Sequence, residues 1–254
     1  MVSNKRVMLI TGANSGVGYD TSYILANASA DNHVIMAARS ETKGRKALLE
    51  IEARKPAGTL SFLELEIASV DSIKAATVQL AVRFDAIDVL VNNAGIYSHD
   101  APVSREHLQE VFNMNVFGVL LLTWALEPLL KKSVDPRIIN VSSSLGSIAL
   151  WMDKSIREYH VTGEVYRMSK AALNMLTASM AYQYRTWEHP AKLWAFEPGY
   201  VVTNLAGEGD RQKKIINGGE SAETSAQGIL EMVRGDRDGE TDRFVAKQAK
   251  VHLW

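Results

Sequence analysis

The sequence predicts a doubly wound α/β fold, with a mostly parallel sheet of about seven strands and helices on both of its faces. Short β-branched runs alternate with longer stretches of helical periodicity, and the runs are nearly continuous in apolar residues, as in strands covered on both faces. The predicted strands are residues 7–10, 34–37, 60–65, 89–91, 138–141 and 193–196, with a weaker one at 243–246. The predicted helices are residues 17–28, 43–54, 70–84, 105–130, 164–185 and 222–233. Because the chain has no repeat, low-complexity tract or linker, we expect residues 1–254 to form a single domain.

Composition excludes several classes of function. The chain has 254 residues, of which 46% are hydrophobic and 22% charged, a balance that excludes intrinsic disorder. The 28 Lys and Arg residues against 29 Asp and Glu residues give a net charge of −1, so we expect no nucleic-acid partner. The absence of Cys excludes disulfides, thiolate metal sites and a Cys nucleophile. The 6 His residues show no metal-ligand spacing, so the sequence predicts no metal site.

The hydrophobic segments predict no membrane span. The longest apolar stretch, residues 116–126, is about half as long as a bilayer requires. The apolar run after Arg6 is too short for the core of a signal peptide. We therefore expect a cytoplasmic location.

A glycine-rich turn follows the first predicted strand and opens the first helix. Gly12 allows a tight turn, Gly16 lets a phosphate approach the backbone, and Gly18 lets the helix pack close to the sheet. The first N–H groups of the helix and its positive dipole end would then face a pyrophosphate. The turn predicts a Rossmann-like dinucleotide site, and a plain strand–helix turn is the alternative. The other residues of the turn predicted to surround the cofactor are Asn14, Ser15 and Val17.

The end of the second strand predicts which dinucleotide binds. An NAD site places an acid here to hold the ribose 2′-hydroxyl, but the strand ends in Ala37-Ala38-Arg39-Ser40. Arg39 is placed to pair with a 2′-phosphate through charge-assisted hydrogen bonds. The sequence therefore favours NADP(H) over NAD(H), and a solvated Arg at a strand end is the alternative.

The glycine spacing and five further segments, in order, resemble the short-chain dehydrogenase/reductase family, and in particular its carbonyl-reductase-like and retinol-dehydrogenase-like members. The resemblance runs from about residue 7 to about residue 204, and it implies a Rossmann-like fold and an oxidoreductase that uses a nicotinamide cofactor. The segments are Asn92-Asn93-Ala94-Gly95, Met114-Asn115-Val116-Phe117-Gly118, Asn140-Val141-Ser142-Ser143-Ser144, Tyr166-Arg167-Met168-Ser169-Lys170 and Pro198-Gly199-Tyr200-Val201-Val202-Thr203.

Tyr166 and Lys170 are the predicted acid–base pair. Their spacing of four residues puts both side chains on one face of a helix. An ammonium near a phenol lowers the pKa of the phenol, which would make Tyr166 a general acid for carbonyl reduction and a base for the reverse reaction. The resemblance implies that Lys170 also holds the nicotinamide ribose. It further implies that Asn115 supports a water linking Lys170 to solvent; an amide on a helix surface is the alternative.

Ser143 is the predicted partner of the substrate oxygen, where it would stabilise developing charge. We prefer it to its two Ser neighbours because the family's serine lies three residues before a Gly, here Gly146. Ser142 and Ser144 would project to the other side of an extended chain.

The resemblance implies further cofactor contacts. Asn93, with Ala94 and Gly95, would line the adenosine half, while Val201 would meet the nicotinamide carboxamide and Thr203 the phosphates, beside Pro198 and Gly199. Glu66 stands where the family usually has Asp. The adenine contact then uses the backbone of Ile67 or a shifted Glu66 geometry, unless Glu66 simply caps the next helix.

Two segments are predicted to determine the substrate. Tyr166 follows Ser143 by 23 positions, a longer gap than in many family members, and the segment between them would cover the active site or form an exposed excursion. Residues 204–219 are a candidate lid or a simple connection. An apolar wall of Trp151, Met152 and Tyr200 suggests a hydrophobic aldehyde or ketone. Other candidates for substrate contact are Tyr97, Ser98, His99, Leu150, Arg157, Tyr159 and His160.

We conclude from the sequence that the chain is an NADP(H)-dependent oxidoreductase that interconverts a carbonyl and an alcohol by direct hydride transfer. The alternative is a non-catalytic NADP(H)-binding sensor or scaffold, although such proteins lose the Tyr and Lys pair. Epimerisation or dehydration on the same scaffold is a third possibility. A homo-oligomer built on the helices at 105–130 and 164–185 is expected from the family, unless the long segment before Tyr166 blocks it.

Overall fold

The computed structural model of the chain describes residues 5–97, 103–156, 162–205, 207–248 and 250–254. Its strands are β1 (Arg6–Thr11), β2 (Asn32–Ala38), β3 (Thr59–Glu64), β4 (Val89–Asn92), β5 (Arg137–Val141), β6 (Lys192–Glu197), β7 (Arg243–Ala246) and β8 (Val251–His252). They form one eight-stranded sheet in the order β3-β2-β1-β4-β5-β6-β7-β8. The pairs are parallel except for β7 with β8, which is antiparallel. The predicted α/β class is confirmed, with one short strand more than expected.

The helices cover both faces of the sheet, as the alternation of strands and helices predicts. They are α1 (Gly16–Ala28), α2 (Glu41–Ala53), α3 (Val70–Arg83), α4 (Arg105–Phe112), α5 (Gly118–Leu130), α6 (Ile148–Met152), α7 (Glu164–Tyr184), α8 (Glu208–Ile216) and α9 (Ala222–Arg234). The two helices that the sequence did not predict are α6 and α8. Five residues are too few for a helical period to emerge in α6, and α8 begins in a Gly-rich, charged segment that is typical of a loop.

Two hydrophobic cores follow from the alternation of side chains along the central strands. On β1, Met8 and Ile10 pack toward α1, α2 and α9, whereas Val7 and Leu9 pack toward α3, α5 and α7. Both sets are buried, which explains why the strand is apolar at every position from Val7 to Ile10.

The predicted helix 105–130 is interrupted by a π-helical turn at Asn113–Phe117. Gly118, which follows the turn, is in close contact with the Ile67 carbonyl oxygen, and a Cβ at this position would overlap it. The chain therefore needs glycine at the point where the helix meets the end of the sheet. The π turn lies at the level of the strand ends, where sites of α/β folds are found.

The helical run Arg105–Leu130 passes the criteria of length and apolar composition for a membrane span. Half of its most apolar 18-residue window is buried within the protein, as in the core helix of a globular domain. The criterion is therefore weak evidence, and the expectation of no membrane span stays a prediction.

Candidate active site

A cleft of about 670 Å³ opens at the carboxyl ends of the strands, beside the point where strand order reverses between β1 and β4. It gathers most of the residues that the sequence singles out. Those that line it are Gly12, Asn14, Ser15, Gly16, Val17, Arg39, Glu66, Ile67, Asn93, Ala94, Gly95, Ser143, Tyr166, Lys170, Pro198, Gly199, Val201 and Thr203. Gly18 and Asn115 are not in this lining.

The glycine turn after β1 has the geometry that a dinucleotide requires. Gly12 and Gly16 have φ angles of +64° and +56°, which L side chains rarely adopt. A Cβ on Gly18 would lie 2.5 Å from both the Gly12 carbonyl oxygen and the Asn93 amide nitrogen, so this glycine lets α1 pack against the sheet. Because α1 begins at Gly16, in the lining of the cleft, its first N–H groups are available to a phosphate. The turn therefore fits the pyrophosphate of a dinucleotide.

Arg39 lies at the end of the cleft where the second strand stops. Its side chain is 75% exposed, and its Nε is 3.2 Å from Glu66 Oε2. Ser40 and Lys43 line the same end, and the Ser40 hydroxyl accepts a hydrogen bond from Lys43 N at 3.4 Å at the start of α2. Two basic side chains and a helix N-terminus thus converge on one end of the cleft.

The alternative that Glu66 caps the next helix is wrong. Ser69 is the N-cap of α3 and accepts a hydrogen bond from Ser72 N at 3.3 Å. The Glu66 carboxylate instead pairs with Arg39, and Glu66 N donates to Ser72 Oγ at 2.9 Å. The longer side chain of Glu reaches the Arg39 guanidinium across the ends of two adjacent strands.

The polar side chains of β1 and β4 fix the floor of the cleft. Asn93 Nδ2 donates to Thr11 O at 2.8 Å, and Thr11 Oγ1 accepts from Asn93 N at 3.0 Å and Ala94 N at 2.9 Å. The Asn93 amide is therefore occupied by the backbone of β1. Asn93 thus contributes to the cleft mainly through its position in the chain, beside Ala94 and Gly95.

The three consecutive serines after β5 have three different partners. Ser142 Oγ donates to Asn174 Oδ1 on α7 at 2.5 Å. The hydroxyl and backbone N–H of Ser144 donate to the carboxylate of Glu197. The Ser143 hydroxyl is hydrogen-bonded to the Tyr166 hydroxyl. Ser143 is thus the one of the three that contacts Tyr166, and its catalytic role stays a prediction.

Lys170 does not contact the Tyr166 hydroxyl in the way the sequence suggested. Its Nζ donates to Val141 O at 2.8 Å and lies 5.6 Å from the centre of the Tyr166 ring. Both residues are buried. Burial raises the pKa of Tyr166, although the hydrogen bond from Ser143 acts in the opposite direction.

Burial also lowers the pKa of Lys170 to about 8. The expected lowering of the Tyr166 pKa is therefore wrong for this structure, because desolvation outweighs an ammonium that is bonded elsewhere. The phenol of Tyr166 is held in its protonated form, and the Lys170 ammonium loses its proton at a lower pH than an exposed lysine does.

Asn115 lies in the π turn and is fully buried, so it is not a helix-surface amide. Its Oδ1 accepts from Ile96 N at 2.9 Å, and its Nδ2 donates to Ile96 O at 3.0 Å and Ser169 Oγ at 3.0 Å. These bonds tie the chain after β4 to α7 directly behind Tyr166. The implied water relay to Lys170 is not tested by this geometry.

The family model for short chain dehydrogenases matches residues 6–214, which is more than half of the chain. The chain belongs to the short-chain dehydrogenase family. It is therefore an oxidoreductase by family.

Relatives and solved structures cover most of this short-chain dehydrogenase. It is 32% identical over 249 residues to a short-chain dehydrogenase of Penicillium roqueforti, covering 96% of this chain and 93% of the relative. It is 30% identical over 214 residues to the NADP-dependent 3-hydroxy acid dehydrogenase of Schizosaccharomyces pombe, covering 82% and 77%. The NADPH-bound carbonyl reductase from chicken fatty liver superposes with a TM-score of 0.83 at 29% identity, covering 99% and 100% of the two chains.

The predicted substrate wall of this short-chain dehydrogenase is partly wrong. Trp151 and Met152 do not appear in the described cleft lining, whereas Tyr200 does. The Arg167 guanidinium carbon lies over the Trp151 ring, 3.7 Å from the ring centre, and Met152 is 71% exposed. Trp151 and Met152 belong to α6, which is bonded to the segment after β8, since Ala149 N donates to Trp254 O at 3.3 Å.

Tyr97 is the substrate-side candidate that the geometry supports. Its ring lies 4.7 Å from the Tyr166 ring, and its hydroxyl donates to Thr162 O at 3.1 Å. Leu150 is described but is not in the cleft lining. The other candidates of that kind, Ser98, His99, Arg157, Tyr159 and His160, lie outside the described residues.

Sequence reasoning missed several residues of the cleft. Lys43 lies four residues after Arg39 in the first turn of α2, and its position at the start of a helix after a strand end could have identified it. Glu197 directly precedes Pro198-Gly199 at the end of β6, which is itself a signal in this fold. Leu205 and Lys214 also line the cleft, but they were not missed, since they lie in the segment 204–219 that the sequence predicts to be a lid or a connection; its residues 208–216 are helical. Within the described ranges, no group of three His, Asp or Glu side chains could hold a metal.

Proposed function

We propose that this short-chain dehydrogenase is an NADP(H)-dependent reductase of aldehydes or ketones, with Tyr166 as the general acid. The observation that carries the proposal is the hydrogen-bonded Ser143 and Tyr166 pair, with Lys170 one helical turn away, in the same cleft as the glycine turn. These are the groups that carbonyl reduction needs: a proton donor, a donor that orients the oxygen, and a cofactor site.

The protonation state of Tyr166 favours the reductive direction. Since burial raises its pKa, the phenol keeps its proton at neutral pH and can give it to a carbonyl oxygen. The bound nicotinamide supplies the hydride to the carbonyl carbon when the cofactor is reduced. Tyr166 transfers its proton to the oxygen, and the Ser143 hydroxyl stabilises the charge that develops there. Lys170, whose pKa burial lowers to about 8, lies one helical turn from Tyr166 and would resupply its proton indirectly, since its Nζ is bonded to Val141 O.

The preference for NADP(H) rests on the basic end of the cleft. Arg39 and Lys43, with the first turn of α2 between them, offer a 2′-phosphate two cations and a helix N-terminus. The carboxylate of Glu66 already occupies one side of the Arg39 guanidinium and would compete with that phosphate. Two relatives whose names include NADP or NADPH, the fission-yeast dehydrogenase and the chicken carbonyl reductase, support the same cofactor.

A hydrophobic carbonyl compound is the substrate class that the cleft supports. Apolar and aromatic side chains share the lining around Tyr166, namely Ile96, Tyr97, Leu145, Tyr200 and Leu205. Turnover of small charged keto acids alone would contradict this assignment. Apart from Arg39, Lys43 and Lys170, the basic residue of the described lining is Lys214. Its Nζ lies 5.8 Å from the Tyr200 ring centre.

A homo-oligomer through the long helices is part of the proposal. Phe117, Leu121 and Trp124 are exposed at the π turn and on α5, and Met175 and Tyr182 are exposed on α7. Exposed apolar faces of this kind favour self-association over an isolated monomer. Sedimentation velocity would distinguish the two states.

The test is oxidation of NADPH and NADH by the purified protein across a panel of aldehydes, ketones and quinones. We expect turnover with NADPH well above that with NADH. Tyr166→Phe should lower kcat by about 100-fold or more, since a general acid contributes about 10²–10⁴, and should leave NADPH binding unchanged. Tyr182→Phe is the matched control, because it makes the same change at an exposed position of the same helix.

Two results would reverse the assignment. Equal turnover by Tyr166→Phe and the wild type would refute the acid–base role of Tyr166. Tight NADPH binding with no turnover on any carbonyl would favour the sensor or scaffold alternative.

A further inference from the structure

A carboxylate lies behind the serine turn, residues 142–147, and the proposed reaction does not use it. Glu197 ends β6, lines the cleft, and its side chain is only 14% exposed. Despite burial the pKa of Glu197 is kept low, first by its hydrogen bond with His252 and then by those from the hydroxyl and backbone N–H of Ser144. Burying a carboxylate destabilises the folded protein unless hydrogen-bond donors surround it. Glu197 therefore holds the donors that contact it in place.

The remaining donor to Glu197 comes from the last strand of the sheet. His252 on β8 pairs through Nε2 with the Glu197 carboxylate and is itself buried. Its ring is 5.0 Å from the ring of Phe244, the residue that faces it on β7. Its Nδ1 is buried and has no hydrogen-bond partner among the described residues. The bond to Glu197 is therefore what fixes the polar edge of this ring.

The chain around His252 is also attached to the serine turn. Ser147 Oγ donates to Leu253 O at 2.7 Å, and Ala149 N donates to Trp254 O at 3.3 Å. Residues 251–254 thus contact both ends of a short path: Glu197 on one side and the segment after Ser143 on the other. The path from His252 to Ser143 passes through two side chains, Glu197 and Ser144.

We infer that His252 is a positioning residue of the active site, which acts through Glu197 to fix the serine turn and so the orientation of Ser143 toward Tyr166. The inference rests on the proposed reductase function. It predicts that the last strand, which lies outside the matched family region, controls the geometry of the reacting oxygen.

The charged groups around Glu197 make the inference testable by pH as well as by rate. On α7, Tyr166 feels the negative charge of Glu197, which helps to raise its pKa. On β8, His252 provides the only ionisable donor to Glu197 among the described residues. Beyond β7, the Lys247 ammonium is engaged with Glu220 at 2.6 Å rather than with Glu197.

The experiment compares His252→Ala, His252→Gln and the control Leu253→Ala in the full chain. Leu253 is 74% exposed and contacts the serine turn through its backbone carbonyl, so Leu253→Ala changes the residue next to His252 without touching the path. We expect His252→Ala to lower kcat by about 10-fold or more, because small displacements of a reacting group cost that much, with NADPH affinity unchanged. His252→Gln, whose amide can still donate to Glu197, should recover most of this loss.

A pH profile separates positioning from simple loss of structure. Glu197→Gln removes the charge beside Tyr166, so the alkaline fall of reductase activity should move to lower pH, whereas Leu253→Ala should leave it in place. Ser144→Ala approaches the path from its other end, and its loss in kcat should be non-additive with that of His252→Ala. Ser144→Ala also serves if His252→Ala does not fold.

Amide exchange of residues 143–149 needs no substrate and keeps the inference separate from the proposed function. Faster exchange in His252→Ala than in Leu253→Ala supports positioning even if no carbonyl is turned over. Equal exchange and equal kcat in those two variants would overturn it, as would additive losses in the double variant.

Discussion

Replacing Lys170 by Met should stabilise the protein while it abolishes turnover. The Lys170 side chain is buried, only 5% of the residue being exposed, and its described hydrogen bond goes to the neutral Val141 carbonyl at 2.8 Å. Burial lowers its pKa from 10.5 to about 8. At about 1.4 kcal/mol per pKa unit, keeping this ammonium charged at pH 7 costs the folded state about 3 kcal/mol.

Met has a similar length and no charge, so the substitution removes that cost. It also removes the hydrogen bond to Val141 O, which is worth about 1 kcal/mol. The net expectation at pH 7 is a gain of about 2 kcal/mol in the free energy of unfolding, or about 5 °C in Tm for a domain of this size. Turnover should be lost, since the variant removes the proposed proton source for Tyr166.

The lowered pKa of Lys170 also determines how the stability of the wild type changes with pH. Between pH 8 and 10.5 the unfolded wild type binds more protons at this position than the folded protein does, so its stability rises with pH there. The cost is fully present below about pH 8 and disappears as the pH approaches 10.5. The advantage of Lys170→Met should therefore shrink above pH 8.

Urea denaturation from pH 6 to pH 10, without cofactor, measures this difference directly. Lys74→Met, at an exposed position of α3, is the control and should change stability little at any pH. A Lys170→Met variant that is less stable than the wild type at pH 7, or an advantage independent of pH, would refute the argument that desolvation sets the pKa of Lys170.

Three further predictions concern the cofactor end and the charges of the fold. Arg39→Ala should weaken NADPH binding by about 10-fold and leave NADH unchanged, whereas Glu66→Gln should strengthen NADPH binding; fluorescence titration tests both, and the same change for NADH would contradict them. His33 has a pKa lowered to about 4 by burial, so the wild type should lose about 3 kcal/mol of stability between pH 6.5 and 4 and His33→Gln should not; parallel pH curves would refute this. Asp238→Asn should cost about 2 kcal/mol at pH 7, because it leaves the buried Arg137 guanidinium underpaired, and a denaturation midpoint equal to the wild type would exclude that role.

The strands and the main helices were predictable because their signals are local. β1 and β2 contain unbroken apolar runs, Val7–Ile10 and Val34–Ala38, and each strand is followed by a segment with helical periodicity. β8 could not be predicted in this way, since two residues carry no period and the strand forms only because β7 is already in place. The π turn at Asn113–Phe117 is a further tertiary effect, imposed on a segment whose sequence predicts an ordinary helix.

The membership of the site was more predictable than its electrostatics. Spacing places Tyr166 and Lys170 on one helical face, and chain order brings the strand ends together. What spacing does not contain is desolvation: the pair is buried, Lys170 is bonded to a carbonyl, and the pKa of Tyr166 moves in the direction opposite to the one expected. The same limitation explains the error at Trp151, whose position depends on how α6 packs against residues 253–254.

The contacts of the active site divide into two kinds that have opposite effects on stability. Lys170 is a buried ammonium whose desolvation lowers the stability of the folded state. Under the proposed function this cost is useful, because a lysine with a lowered pKa gives up its proton more readily than an ordinary lysine. Ser142, Ser144 and Asn115 are instead buried polar groups whose hydrogen bonds are satisfied within the protein. The first kind supplies reactivity, and the second supplies the rigidity that lets the fold tolerate it. A variant that breaks one of these satisfied hydrogen bonds should therefore lower kcat and leave the pKa of Lys170 unchanged. That is the outcome that the path from His252 predicts.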